Sequence, residues 1–94
     1  MIIRTVLVKL KDEWATDPGR AALANVGQSA LSAIPGVKNA EALVPADDAA
    51  LASWDLMYQV HFDNLDDVET YRVHPDHLRF LDEHLNPKAE VKKV

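Results

Sequence analysis

The chain has no cysteine and no long apolar run, and its basic residues are outnumbered: 10 Lys and Arg stand against 15 Asp and Glu, a formal net charge of −5. Each shortage removes a class of protein. Without cysteine there are no disulfides, thiolate metal centres or cysteine nucleophiles, which fits the reducing cytoplasm as the expected compartment. The apolar runs span a few residues, and Arg4, Lys9 and Lys11 interrupt the amino terminus. Neither a signal peptide nor a membrane span is therefore expected. An acidic chain without a basic cluster is a poor match for nucleic acid or an anionic membrane. What remains is 94 residues, 48% hydrophobic and 27% charged, read as one globular domain over residues 1–94. So small a domain buries a limited share of its surface, and pairing with a second copy adds burial.

The patterning predicts four strands and two helical regions. Ile2 to Leu10 has strand composition, with Arg4, Val6, Val8 and Leu10 on one face and Ile3, Thr5, Leu7 and Lys9 on the other. Lys11 to Thr16 reads as a polar loop. Asp17-Pro18 then reads as a cap with a first-turn proline for a helix running to about Ala33, and Pro35-Gly36 stops it. Val37 to Val44 is a second strand and Pro45 to Ser53 a loop. Trp54 to Asp63 is the clearest strand, with Leu56, Tyr58, Val60 and Phe62 apolar and Asp55, Met57, Gln59 and His61 on the polar side. Asn64 caps the next helix, with Asp66 and Asp67 in its positive first turn and Leu65, Val68 and Tyr71 along one side. Leu78, Leu81 and Leu85 continue a helix to Asn86-Pro87, and Ala89 to Val94 is the last strand.

This order, βαββαβ, predicts an α+β fold of the ferredoxin-like kind, an antiparallel sheet with its helices on one face. The other face, with Ile3, Leu7 and Met57 among Thr5, Gln59 and His61, is half apolar. A homodimer packed sheet on sheet would cover it.

Chemistry concentrates in Tyr71-Arg72-Val73-His74-Pro75-Asp76-His77. Pro75 cannot donate a helical hydrogen bond and pushes His74 out of helical geometry, so one helix ends near Val73 and another starts at Pro75. His77 then lies in an opening turn, where the helix dipole disfavours imidazolium. A neutral imidazole accepts a proton, and a nearby tyrosine donates a hydrogen bond to a developing oxyanion. The same residues also suit a plain structural role, His74 clamping the break and Tyr71 packing. His61, His74, His77 and His84 are too scattered for a metal site, and no cofactor is expected. Asp63, Asp66 and Asp67 read as helix-start acids, and Lys88, Lys92 and Lys93 as a guarded strand edge.

In register with this order stand Ile3-Arg4-Thr5-Val6-Leu7-Val8-Lys9-Leu10-Lys11, Ala33-Ile34-Pro35-Gly36-Val37, Trp54-Asp55-Leu56, Phe62-Asp63 and Tyr71-x-x-His74-Pro75-x-His77. On these features the chain resembles the stress-responsive A/B barrel family, the Dabb domain, over essentially its full length. The resemblance implies a dimeric alpha-beta barrel. It also implies, from a plant polyketide cyclase of the family, that Tyr71 and His77 match a catalytic pair. Where many members have histidine this chain has Arg4, read here as pairing with a carboxylate at the sheet edge, with an acidic ligand as the other reading. The helix positions that are aromatic in the cyclase are Leu23, Ala24 and Gly27, so a pocket here has another shape. Some members hold magnesium through carbonyls that correspond to Leu31, Ile34 and Val37.

Three readings of function follow. One is a carrier or sensor of a small apolar acid or polyketide-like ligand between sheet and helices, bordered by Arg4, Val6, Val8, Leu23, Tyr58, His74 and Phe80. The second is a cyclase or lyase in which Tyr71 and His77 are the acid/base pair, and the third a structural, stress-linked dimer without ligand. A haem-binding relative of the same dimeric plan, with His61 or His84 as axial ligand, is a weaker fourth.

Overall fold

The computed structural model describes residues 1–94. Its near-continuous apolar first strand, β1 (Ile2–Leu10), lies inside the sheet, pairing with β3 (Leu56–Phe62) on one side and β4 (Ala89–Lys93) on the other. The strand β2 (Asn39–Leu43) pairs with the far side of β3, giving the order β2-β3-β1-β4 with all neighbours antiparallel. With its helices on one face, this is a ferredoxin-like α+β fold. On β3 the alternation is complete: Leu56, Tyr58, Val60 and Phe62 are buried, while Met57, Gln59 and His61 are only partly so.

The helices α1 (Asp17–Ser32), α3 (Leu65–Val73) and α4 (Pro75–Phe80) cover the apolar face. A wider π turn, Leu81–Leu85, extends α4, and Asn86 N–H closes back on the Leu81 carbonyl at 2.8 Å. Val8, Val60 and Phe62 of the sheet meet Leu23, Leu31, Ile34, Tyr71 and Leu85 of this layer in one core. Each such side chain contributes about 1.5–3 kcal/mol when fully buried. The Phe62 and Tyr71 rings meet edge to face with centroids 5.1 Å apart.

Two glycines are required by geometry. Gly36, at φ 90°, makes the turn that stops α1 and leads to β2. Gly27, buried in α1, lets the helix approach the sheet so closely that a Cβ there would overlap the Tyr58 ring.

Several local expectations need correction. The cap of α1 is Thr16, whose hydroxyl accepts from Gly19 N–H at 3.1 Å, and Asp17 is already the first helical residue. The stretch 11–16 contains a 3-10 turn, Asp12–Trp14. The stretch 45–53 contains a helical turn, α2 (Asp48–Leu51), because the Asp47 carboxylate accepts from Ala50 N–H at 2.9 Å. Leu65 is 69% exposed and takes no part in the α3 face formed by Val68 and Tyr71. Asp55 is 2% exposed, and lies in the core rather than on the polar side of β3.

No helix is long and apolar enough to cross a membrane. The sheet face away from the helices carries Ile3, Leu7 and Met57, flanked by Leu43 and Val91 through the strand register.

Candidate functional site

The break between α3 and α4 is where chain chemistry builds a site. Pro75 opens α4, and His74 takes an extended conformation at φ −65°, ψ 136°, serving as the cap of both helices. Its Nδ1 accepts from Asp76 N–H at 3.1 Å, and its own N–H donates to the Tyr71 carbonyl at 3.1 Å. His74 thus satisfies backbone groups that the break leaves open.

His77 sits one turn on, 8% exposed, with Nδ1 3.0 Å from the Arg72 carbonyl. A carbonyl only accepts, so Nδ1 carries the hydrogen and Nε2 keeps the lone pair. Burial is the main cause holding His77 below its ordinary 6.5; the bond to Arg72 opposes it, while the charges of Arg4 and Lys92 depress it further. These causes, not the end of the six-residue α4, account for the neutral imidazole. Tyr71 stacks on His77, with ring centroids 4.2 Å apart and planes tilted by 31°. Burial pushes the Tyr71 phenol up to about 12, with Arg4 pulling the other way. At neutral pH the pair is therefore a proton donor beside a proton acceptor.

Both rings border a cavity of about 320 Å³ between the sheet and the helix layer. This is the lower end of the size range of small-molecule sites, which begins at about 300 Å³. Arg4, Val6, Tyr58 and Phe80 also border it. Val8 and Leu23, both without exposed surface, do not: they pack in the core beyond its end. His74 does not border it either, being occupied with the helix break. Leu31, Leu78, Leu81, Leu85, Lys92 and Val94 complete the walls together with Arg72. Alternation on β4 places Lys92 beside Val8 in register, on the helix side, a position that its charge had assigned to a guarded edge.

Arg4 forms no ion pair, contrary to the sheet-edge pairing expected of it. The buried ion pair belongs to another arginine. Asp55 accepts from Arg20 Nη1 at 2.9 Å and from Leu10 N–H at 2.8 Å, and Arg20 reaches Asp17 at 2.8 Å as well. Tyr58, although a wall of the cavity, spends its hydroxyl on the Leu23 carbonyl at 2.6 Å, and burial raises its phenol well above the ordinary 10.0. Gly27 leaves room for that ring, so the space beside this glycine is filled from the sheet side.

The four histidines do not gather, and no three His, Asp or Glu side chains meet at a point that could hold a metal. His84 stacks on Phe80 at 5.9 Å and His61 lies on the opposite sheet face, so neither offers a haem ligand in the cavity. At the α1 exit the Leu31 and Ile34 carbonyls already accept from Ile34 N–H at 3.3 Å and Val37 N–H at 3.2 Å. The one carboxylate that packs against this exit is that of Asp67, beside Gly36.

Comparison with known proteins agrees with this architecture. A Dabb family protein of ferredoxin-like fold from Mesorhizobium loti superposes with a TM-score of 0.77 at 23% identity, covering 98% of this chain and 93% of that one. An Arabidopsis thaliana protein gives 0.82 at 14% identity, covering 99% and 89%. A dimeric ferredoxin-like protein of unknown function from Thermobifida fusca gives 0.74 at 26% identity, covering 97% and 84%. Among curated proteins none matches. The family profile of the Stress responsive A/B Barrel Domain, Dabb, matches residues 2–92, and the chain belongs to that family.

Proposed function

We propose that the chain binds a small, largely apolar carbonyl compound in the cavity between sheet and helices, with Tyr71 and His77 as an acid/base pair toward it. The observation that carries this reading is geometric: the Tyr71 and His77 rings, with centroids 4.2 Å apart, both line one mostly apolar cavity, and burial favours the uncharged form of each. His77 Nε2 would take a proton alpha to the carbonyl while the Tyr71 hydroxyl donates a hydrogen bond to the enolate oxygen. Each of the two groups then contributes on the order of 100-fold in rate. That step is shared by cyclases, lyases and simple enolisations.

The direct test is deuterium exchange at the alpha carbon of nonane-2,4-dione, followed by NMR in D2O, with thermal stabilisation by the same compound as the binding readout. The reading expects saturable stabilisation and exchange faster than in buffer, with the exchange lost in His77→Gln and Tyr71→Phe. Stabilisation without exchange leaves a carrier. An unmoved melting temperature with this and other small apolar carbonyl compounds removes the pocket reading altogether.

The same proposal includes a homodimer. Ile3 at 50%, Val91 at 45% and Leu43 at 36% exposed sit on the helix-free face with Leu7 and Met57, a patch that pairing of two sheets would dry. The Thermobifida fusca protein, and another of unknown function from Bacteroides fragilis at 25% identity, are described as dimeric. Sedimentation should give a dimer at micromolar concentration, split by Leu7→Asp, which would bury two like charges near a two-fold axis. A cysteine-free chain suits the cytoplasm as its compartment.

A further inference from the structure

Acids outnumber bases by 15 to 10 in this chain, yet the cavity wall holds Arg4, Arg72 and Lys92 and not one Asp or Glu. The excess is local. Elsewhere Lys9, Arg20, Lys38 and Arg79 form ion pairs, and Arg72 turns outward to Glu69 with its Nη2 3.0 Å from the carboxylate; Lys11, Lys88 and Lys93 have no such partner, but none of them borders this cavity. Arg4 and Lys92, from the strands β1 and β4, are paired with no Asp or Glu. Two cations on one largely apolar wall, one half-buried and one exposed, leave its charge without an Asp or Glu to answer it.

We propose that the cavity selects a ligand with a carboxylate head, seated between Arg4 and Lys92 with its hydrocarbon body along Val6, Leu31, Leu81 and Leu85. The inference rests on the reading of this cavity as a small-molecule site, and adds the charge of what it takes. A carboxylate matches the planar fork of Arg4, with Lys92 as a point charge on the exposed side. Phosphate is less suited, because no glycine borders the cavity and there is no backbone cradle of the kind phosphate groups use.

The remaining titratable and charged groups on the wall fix what binding does to protons. They are Tyr58 from β3, Tyr71 and Arg72 from α3 and His77 from α4, while α1 brings only Leu31. Tyr58 is tied to a carbonyl and Arg72 to Glu69, so His77 and Tyr71 are the two that respond. Arg4 and Lys92 both oppose a proton on His77. An anion between them cancels part of that opposition, so binding draws the imidazole upward and makes it a stronger base when the acid is in place.

The test uses probes matched in body and shape that differ in head group, anionic against neutral: octanoate and octanamide, then 4-butylbenzoate and 4-butylbenzamide, titrated calorimetrically into the protein, with the His77 ring followed by NMR. The inference expects the acids to bind at least about 10-fold more tightly than the amides, as charge-assisted hydrogen bonds do. The preference should survive Arg4→Lys in part and vanish in Arg4→Met combined with Lys92→Met. The acids, and not the amides, should raise the pH at which His77 titrates. Neither cation is in an ion pair, so melting curves of the variants should overlay the parent; if Arg4→Met fails to fold, Lys92→Met alone must still lower the preference. Amides binding as tightly as acids would overturn the inference and leave the pocket reading standing. If neither acids nor amides bind, both readings fall.

Discussion

Two arginines reach into the space between sheet and helices, Arg20 from α1 and Arg4 from β1, and the chain treats them in opposite ways. At one end of the sheet Arg20 is held by Asp55 and Asp17, and the second oxygen of Asp55 takes the Leu10 N–H. At the other end Arg4 borders a cavity with no Asp or Glu to meet it. In the first cluster each group is answered from within the chain, as a buried polar group must be if it is to hold a fold together. In the second, the chain provides charge, a lone pair and a hydroxyl without internal partners for them. A polar cluster that closes on itself is architecture, and one that stays open is available to a ligand.

The largest expected effect breaks the closed end. Asp55→Ala leaves Arg20 half-answered and the Leu10 N–H without its acceptor, and loss of one member of a buried pair costs about 3–5 kcal/mol. Because exposed Asp17 still holds Arg20, the lower figure is expected, a drop on the order of 12–24 °C in Tm for a domain of this size. Thermal unfolding measures it, and a shift of a few degrees would mean that the cluster contributes little.

Next is Gly27→Ala, which sharpens the border between the two ends. The added methyl meets the Tyr58 ring and hydroxyl, and relief requires that α1 lift or the ring swing into the cavity. Overpacking of this kind costs about 1–3 kcal/mol. If the ring swings, its bond to the Leu23 carbonyl breaks and ligand affinity falls along with stability, which denaturant titration and calorimetry together would register.

Much of this architecture can be read from the chain, because its signals are local. Alternation along Leu56 to Phe62 assigns β3 its faces, and Pro75 alone places the helix break within a residue. The site is legible where a motif packs its members within one or two turns, as with Tyr71 and His77. It is illegible where the partners are far apart. Asp55 looks like any polar residue at the edge of a strand, since Arg20 is 35 positions away and only the docking of α1 joins them. Lys92 looks like a charged edge because β4 is short, and its side depends on a register that shifts between Lys9 and Leu10 on β1. Val8 and Leu23 share the cavity's side of the sheet, but alternation says nothing of how far along a strand a cavity runs. Arg4 seemed to need a carboxylate by the ordinary rule for arginines, and the absence of one is what sets it apart.

Smaller effects separate the two imidazoles at the open end. His74→Ala removes a side-chain cap and should cost about 1 kcal/mol. His77→Gln keeps a donor for the Arg72 carbonyl, and its signature is in pH dependence. Burial holds His77 below 6.5 in the folded chain, so beneath that pH the unfolded chain takes up a proton that the folded one refuses. Stability is complete above 6.5 and falls as pH drops, until the folded form is protonated too. Urea unfolding at several pH values should show this slope in the parent and a flatter one in His77→Gln. An unchanged slope in His77→Gln would place the responsible group elsewhere.

The smallest change in stability, and the most telling for the comparison, is expected from Arg4→Met. The arginine is half-buried and has no ion pair to lose, so its removal should leave stability within about 0.5 kcal/mol of the parent, as for substitutions away from special contacts. Its charge is another matter. Arg4 acts on both members of the pair, opposing a proton on His77 and favouring loss of one from Tyr71. Without it His77 should titrate closer to 6.5 and the Tyr71 phenol should hold its proton to still higher pH, two shifts of the same sign that NMR and ultraviolet titration follow separately. An arginine engaged by the chain, as Arg20 is, would give the reverse pattern: a large loss of stability and little movement in either ring. Should Arg4→Met behave that way, the two ends of the sheet would be alike, and the cavity would lose the feature that distinguishes it from the core.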